Sequence, residues 1–151
     1  MKNGVLDRVS DVGNFGAICR SAECAGVHAI LIPTKGSAQI NSFAVKSSAG
    51  AIFNIPICRT GHILSEVRKL QESGLRVSAC SEKGEKTIYQ SDFGGPTAII
   101  MGSEEDGIGD GLLDIADEHV NIPMSGATAS LNVSVATGII LFERLRQLSN
   151  G

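Results

Sequence analysis

Short β-branched runs alternate with amphipathic stretches along the whole chain, and this alternation restricts the fold more than any other feature of the sequence. Strands are predicted near residues 4–9, 29–32, 55–59, 75–79, 97–101 and 119–122. Helical spacing fills several gaps. In the stretch 14–25, Phe15, Ile18, Cys19, Ala22 and Ala25 recur at i, i+3, i+4 and Gly26 stands where a helix would stop. Further helices are predicted over 41–48, over 62–72 before Gly74, and from near Ser130 to Arg144 and Arg146, cations that suit the negative end of a helix dipole. Strand-helix alternation of this kind predicts an α/β fold, a mostly parallel sheet with helices on both faces. A length of 151 residues predicts one domain over 1–151.

Composition narrows the function classes. No apolar run approaches the ~20 residues that span a bilayer. The start shows no basic, apolar leader, so a soluble cytoplasmic protein without membrane association is expected. Cys19, Cys24, Cys58 and Cys80 lack C-x-x-C spacing and lie in apolar stretches, which predicts reduced thiols and no metal. The net charge of -3, with basic residues spread along the chain, argues against holding nucleic acid by electrostatics alone. The final helix carries Val133, Val135, Ala136, Ile139, Ile140, Leu141 and Phe142 and has almost no polar side. It must be covered all round, either within one domain or, as expected here, partly by a second copy in a homodimer.

Three segments carry chemistry. In Asn14-Phe15-Gly16-Ala17-Ile18-Cys19-Arg20, a strand end passes into a helix that Asn14 can cap; Arg20 offers the paired donors that suit a phosphate. Its ordinary alternative is a surface pair with Glu23. In Met101-Gly102-Ser103-Glu104-Glu105-Asp106-Gly107-Ile108-Gly109, the glycines let backbone approach a ligand, while the acids disfavour a triphosphate and suit hydroxyls, an amine or a cation. Ile108 breaks the ligand alternation of a calcium loop, and neither a phosphate-gripping lysine nor G-x-G-x-x-G is present. The third, from Ile122-Pro123-Met124 to Ser130-Leu131-Asn132, is a loop of small residues opening into the last helix with Ser130 as its expected N-cap. Capping leaves Asn132 unexplained, an amide whose four hydrogen-bonding sites need partners if buried.

Together these segments resemble the motifs of the SpoU-type branch of the SPOUT RNA methyltransferases: N-x-G-x-x-x-R, G-x-E-x-x-G after a strand, and I-P-M with S-L-N-V-S-V-A. The resemblance covers nearly the whole chain. Gly26-Val27-His28-Ala29, Lys69-Leu70-Gln71-Glu72, Tyr89-Gln90-Ser91 and Val135-Ala136-Thr137-Gly138-Ile139 are similar to the bacterial 23S rRNA guanosine 2'-O-methyltransferases of that branch. The resemblance implies a C-terminal trefoil knot, which the rule against knotted chains would have rejected. It also implies a homodimer, S-adenosyl-L-methionine as cofactor, and an RNA partner: 23S rRNA, with tRNA as the alternative within the branch. Members carry a small N-terminal RNA-binding domain, which is expected to be absent from this chain. Carried over by motif, Gly102, Ile122 and Leu131 would contact the methyl donor, with Met124 and Thr60 beside them. Asn14, Arg20, Glu104, Ser130 and Asn132 would form the catalytic group. The family assigns Arg20 the base role, but a guanidinium is a poor proton acceptor, so a phosphate clamp that stabilises the developing alkoxide is expected instead. Glu104 or that phosphate would take the proton. A binding module without chemistry and a nicotinamide-dependent oxidoreductase are the competing classes.

Overall fold

The computed structural model describes residues 2–6, 12–34, 42–103, 107–128 and 130–149. Within them, strands β1 (Lys2–Leu6), β2 (Ala29–Pro33), β3 (Ile57–Thr60), β4 (Arg76–Cys80), β5 (Lys86–Thr87), β6 (Thr97–Met101) and β7 (Glu118–Asn121) form one sheet in the order β3-β2-β1-β6-β4-β7-β5. Every neighbouring pair is parallel. Helices α1 (Val12–Cys24), α2 (Ser42–Ser47), α3 (Ile63–Glu72), α4 (Asp110–Ile115) and α5 (Val133–Ser149), with a 3-10 turn at Ala51–Phe53, connect the strands.

Strand β6 shows why helices cover both faces. All five of its residues are buried. Its side chains alternate, Ile99 and Met101 joining the core with Phe15, Ile18 and Ile140, and Ala98 and Ile100 joining the core with Val67, Val77 and Leu112. A parallel strand buried on both faces reads as a continuous apolar run, as Thr97-Ala98-Ile99-Ile100-Met101 does. Helices α1 and α5 lie on the first face and α3 and α4 on the second. The apolar positions predicted for α1 are all buried, and Val27 N donates to Ala22 O (2.9 Å) just past its end.

Several boundaries differ from the sequence expectation. β1 starts at Lys2, and residues 7–9 of its predicted span lie outside the described residues. β3 begins at Ile57 because Pro56 lacks an N-H; its carbonyl accepts from Ile30 N (2.9 Å). β5 and α4 were not predicted: two residues and one and a half turns are too short for periodicity to register. α1 begins at Val12, so Asn14 lies inside its first turn and is not its cap. α5 begins at Val133, and its cap is Asn132 rather than Ser130.

The end of the sheet where β4 and β7 begin is tied by one buried carboxylate. Glu118 accepts from Ser78 Oγ (2.5 Å), Ser91 Oγ, Arg76 Nη2 (2.8 Å) and Lys86 Nζ (3.1 Å). Burial acts to raise its pKa, but the two hydroxyls and the Lys86 and Arg76 cations outweigh this and hold the carboxyl below its usual range. A lowered folded pKa contributes stability that is complete above the unfolded value near ~4.3 and is lost as pH falls through the folded value. Glu118→Gln should therefore reduce stability at neutral pH by about 2–4 kcal/mol, since Arg76 and Lys86 lose their acceptor and Ser78 and Ser91 face an amide. Urea titrations across pH 3 to 7 should show a shallower acid-side slope in the variant; parallel curves would contradict this account.

Candidate functional site

In an open α/β sheet, ligands sit beyond the carboxyl ends of the strands. Here the ends of the adjacent strands β6, β4 and β7, with the start of α5, enclose a cleft of about 370 Å³. Met101, Ile122, Leu131 and Val133 give it an apolar wall, while Ser81, Glu82, Lys83 and Asp110 line it with polar groups. The Cys80 thiol also faces it, pushed up to about 11 by burial and so uncharged at neutral pH.

Two backbone approaches shape the cleft. A Cβ on Gly102 would lie 2.3 Å from the carbonyl carbon and oxygen of Gly107 and 2.5 Å from Ile108 N. Gly107 N donates to Ser103 O (2.9 Å), closing this loop on itself. The space that Gly102 keeps open is thus taken by the chain's own backbone, where the sequence had suggested a ligand. At Gly84 a Cβ would lie 2.3 Å from Val120 C and 2.6 Å from Val120 O, because the loop after β4 crosses the end of β7. Asn121 Nδ2 donates to Gly84 O (2.8 Å) and fixes that crossing.

Asn132, which capping by Ser130 had left unexplained, joins the first and third segments. Its Oδ1 accepts from Ser134 N (2.9 Å), Val135 N (3.3 Å) and Ser134 Oγ, capping α5, while its Nδ2 donates to Asn14 Oδ1 (3.0 Å) on α1. One amide therefore uses its acceptor for a helix start and its donor for a partner 118 positions away. Asn132 stands between Leu131 and Val133, both cleft residues, so Asn14 is held at the cleft margin.

Of the residues expected from the sequence, Gly102, Ile122, Met124, Ser130 and Leu131 line the cleft. Thr60 does not. It ends β3, the edge strand three positions from β6, about 14 Å away at ~4.8 Å per strand, and its Oγ1 accepts from His62 N (3.0 Å). Sequence reasoning placed the loop after β3 at the site, where the structure places the loop after β4, from Ser81 to Lys83. The available signal was Gly84 just beyond an apolar strand. Arg20 is exposed on α1, six residues or about 9 Å along the axis from Asn14. Among the described residues it makes no ion pair with Glu23. Glu104 lies outside the described residues. Among the described residues, no three His, Cys, Asp or Glu side chains converge to hold a metal, and no helix is long and apolar enough to cross a membrane.

The sequence profile of the SpoU rRNA Methylase family matches residues 3–142. The 23S rRNA (guanosine-2'-O-)-methyltransferase RlmB of Yersinia pestis is 43% identical over 143 residues, 95% of this chain and 58% of its own length. Its counterpart in Escherichia coli K12 is 43% identical over 145 residues, 96% and 60%. The chain thus spans about 60% of the length of these curated relatives. Among solved structures, the SpoU methyltransferase AviRb from Streptomyces viridochromogenes in complex with the cofactor AdoMet superposes with a TM-score of 0.90 at 30% identity, covering 99% of this chain and 61% of that one. The A. aeolicus TrmH/SpoU tRNA modifying enzyme gives 0.89 at 31% identity, covering 97% and 75%.

The double use of Asn132 separates two variants. Asn132→Ala should cost about 1–2 kcal/mol by removing the cap, whereas Asn132→Asp keeps a good cap but sets a carboxylate against Asn14 Oδ1. Thermal melts should rank wild type above Asp and Asp above Ala. Equal stabilities for all three would show that neither bond matters.

Proposed function

Because the chain belongs to the SpoU rRNA methylase family, we propose that it is the methyl-transferring part of an RNA ribose 2'-O-methyltransferase that uses S-adenosyl-L-methionine and acts on a guanosine of 23S rRNA. The observation that carries this reading is the cleft at the ends of β4, β6 and β7, with Asn14 of the first segment fastened to its rim by Asn132 of the third. Its volume lies in the range of small-molecule sites. Its apolar wall fits an adenine and a thioether chain, and Glu82 and Asp110 fit a cationic donor. Met101, Ile122 and Leu131 would hold the donor, with Met124 and Ser130 at its open side. When bound, the donor supplies an electrophilic methyl on a sulfonium.

The chain's own residues would do the rest. Arg20, exposed on the same helix as Asn14, takes an RNA phosphate bidentately and stabilises charge developing on the ribose 2'-oxygen. It does not act as the base, since a guanidinium is a poor proton acceptor; the proton passes to Glu104 or to the phosphate that Arg20 holds. Asn14 and Asn132 keep α1 at a fixed distance from the cleft and so align Arg20 with it.

The same reading includes a homodimer. Val135 and Phe142 are exposed and, with Ile139, which packs only partly against the core, form an apolar stripe at i, i+4, i+7 along α5 that the described residues leave largely uncovered. Phe142→Glu should convert a dimer to a monomer in light scattering; a monomeric mass for the unsubstituted chain at micromolar concentration would contradict the dimer.

The central test is paired. Calorimetric titration should show S-adenosyl-L-methionine binding to the unsubstituted chain and equally to Arg20→Ala. Methyl transfer to RNA should fall by about a hundredfold or more in Arg20→Ala, as for a lost oxyanion donor. Absence of donor binding would overturn the reading, and near-normal turnover in Arg20→Ala would overturn the role given to that residue. Mapping the modified nucleotide in ribosomal and transfer RNA decides between 23S rRNA and the tRNA alternative.

A further inference from the structure

The charge of -3 is not spread evenly, although the basic residues look scattered along the sequence. Residues 12–60 carry Arg20, Lys35, Lys46 and Arg59 against Glu23 alone, while the rest of the chain holds the remaining acids in excess. The fold turns this difference in sequence into a difference between surfaces. The described residues among 12–60 build the β2-β3 side of the sheet with α1, α2 and the 3-10 turn, and these helices and the turn pack on one another on the first face. On the other face α3 carries Glu66 and Glu72 together with Arg68 and Lys69, and α4 carries Asp110 and Asp114 with no base, so that face has no excess of cations. Arg59 is exposed on β3, and the period of a strand puts it on the same side as Ile57, which packs against the first-face core. Lys46 is exposed in the last turn of α2.

Phe53 stands on the same face and is 74% exposed, the most exposed large apolar side chain among the described residues. It is held out by a rigid turn. Its neighbours Ala51 and Ile52 are buried, Phe53 N donates to Gly50 O (3.1 Å), Asn54 N to Ala51 O (2.8 Å), and Gly50 N to Val45 O (3.1 Å), linking the turn to α2. A lone exposed apolar side chain is unremarkable by itself. An exposed ring on a surface whose described charged side chains are mostly cations, continuous with α1 and Arg20, has the composition that unpaired nucleotides recognise: a flat face for a base and cations for phosphates.

We propose that the α1–α2 face is a binding surface for unpaired RNA leading toward Arg20, with Phe53 stacking on a base and Lys46 and Arg59 contacting phosphates. The proposal rests on the chain acting on RNA and names the part of its surface that receives the strand next to the reacting nucleotide. Stacking on a base favours single strands, because a duplex offers no free base faces.

The test measures anisotropy of a labelled oligouridine and of an RNA duplex of equal length, without methyl donor, against the full chain. Phe53→Ala should weaken oligouridine binding about tenfold and duplex binding far less. Lys46→Ala and Arg59→Ala should each lower the slope of log affinity against log salt by about 0.7. Lys69→Ala, on α3 of the opposite face, should change neither quantity. Phe53 is exposed, so its removal should leave the melting temperature and S-adenosyl-L-methionine affinity unaltered. Unchanged oligouridine affinity in Phe53→Ala, or equal losses in Lys69→Ala, would overturn the proposal. A changed oligomeric mass in Phe53→Ala would also overturn it by making this face a contact between copies. Because no donor is present, a chain that binds oligouridine as described but neither binds donor nor transfers methyl would refute the proposed reaction and leave this surface standing.

Discussion

The cleft depends on how closely backbone can pass backbone at the carboxyl end of the sheet. The loops that follow β4, β6 and β7 leave adjacent parallel strands and must turn within a few ångströms of one another. At Gly84 and Gly102 a methyl group would sit 2.3 Å from main-chain atoms, a separation no relaxation of a side chain can relieve. The loop after β6 is thus packed on itself and the loop after β4 on the end of β7, and the cavity they border is what this tight turning leaves over. Its shape is set by main chain, which explains how a site can be specific while its lining includes many small or apolar residues.

The opposite end of the sheet is organised on different physics. Glu118 collects two hydroxyls and two cations at the starts of β4 and β7. Nearby, Glu143 binds Arg146 through both oxygens (2.7 and 3.0 Å) and accepts from Gln147, whose Nε2 also donates to Ser91 O and whose Oε1 accepts from Phe93 N. The segment between β5 and β6 is therefore fastened both to the sheet and to the last turns of α5. Arg144 completes the corner with one bond to Gly95 O (3.1 Å), its Nε buried without an acceptor and its pKa lowered by burial. A buried donor left unpaired costs about 1–3 kcal/mol, a cost that the surrounding bonds offset. One end of the domain is fixed by charge and hydrogen bonds, and the loops of the other can be built for a ligand.

What was legible in the sequence follows from the range over which each signal acts. The buried stripe of α1 and the fully buried β6 were legible because periodicity is local. Gly102, Ile122, Met124 and Leu131 were legible as neighbours through motif resemblance. Asn132 was legible as an anomaly but not as a solution, since its partner Asn14 is 118 positions away and its second role displaced the cap expected of Ser130. Thr60 shows the limit: it ends a strand, as Cys80 and Met101 of the cleft do, but strand order decides which carboxyl ends lie together, and order is not written in periodicity. The loop at Ser81 was passed over for the same reason. The order β6-β4-β7, which sets three loops of distant sequence side by side, accompanies a fold that implies the family's trefoil knot, a topology that local pattern has no means of encoding.

Charge follows the same logic. Net charge is a sum and discards position, so an acidic total argued against electrostatic capture of a polyanion. Association, however, responds to the potential of the surface approached, and screening confines each patch to its own neighbourhood within about 8–10 Å at moderate ionic strength. The strand order sets Arg20, Lys46 and Arg59 on the α1–α2 side of the sheet with Glu23, while the other face has a charge-balanced α3 and the two acids of α4. Arg20 lies on the side where the described bases outnumber the acids. An acidic total therefore does not by itself exclude a basic patch, because the topology that assembles the cleft also decides which charges share a surface.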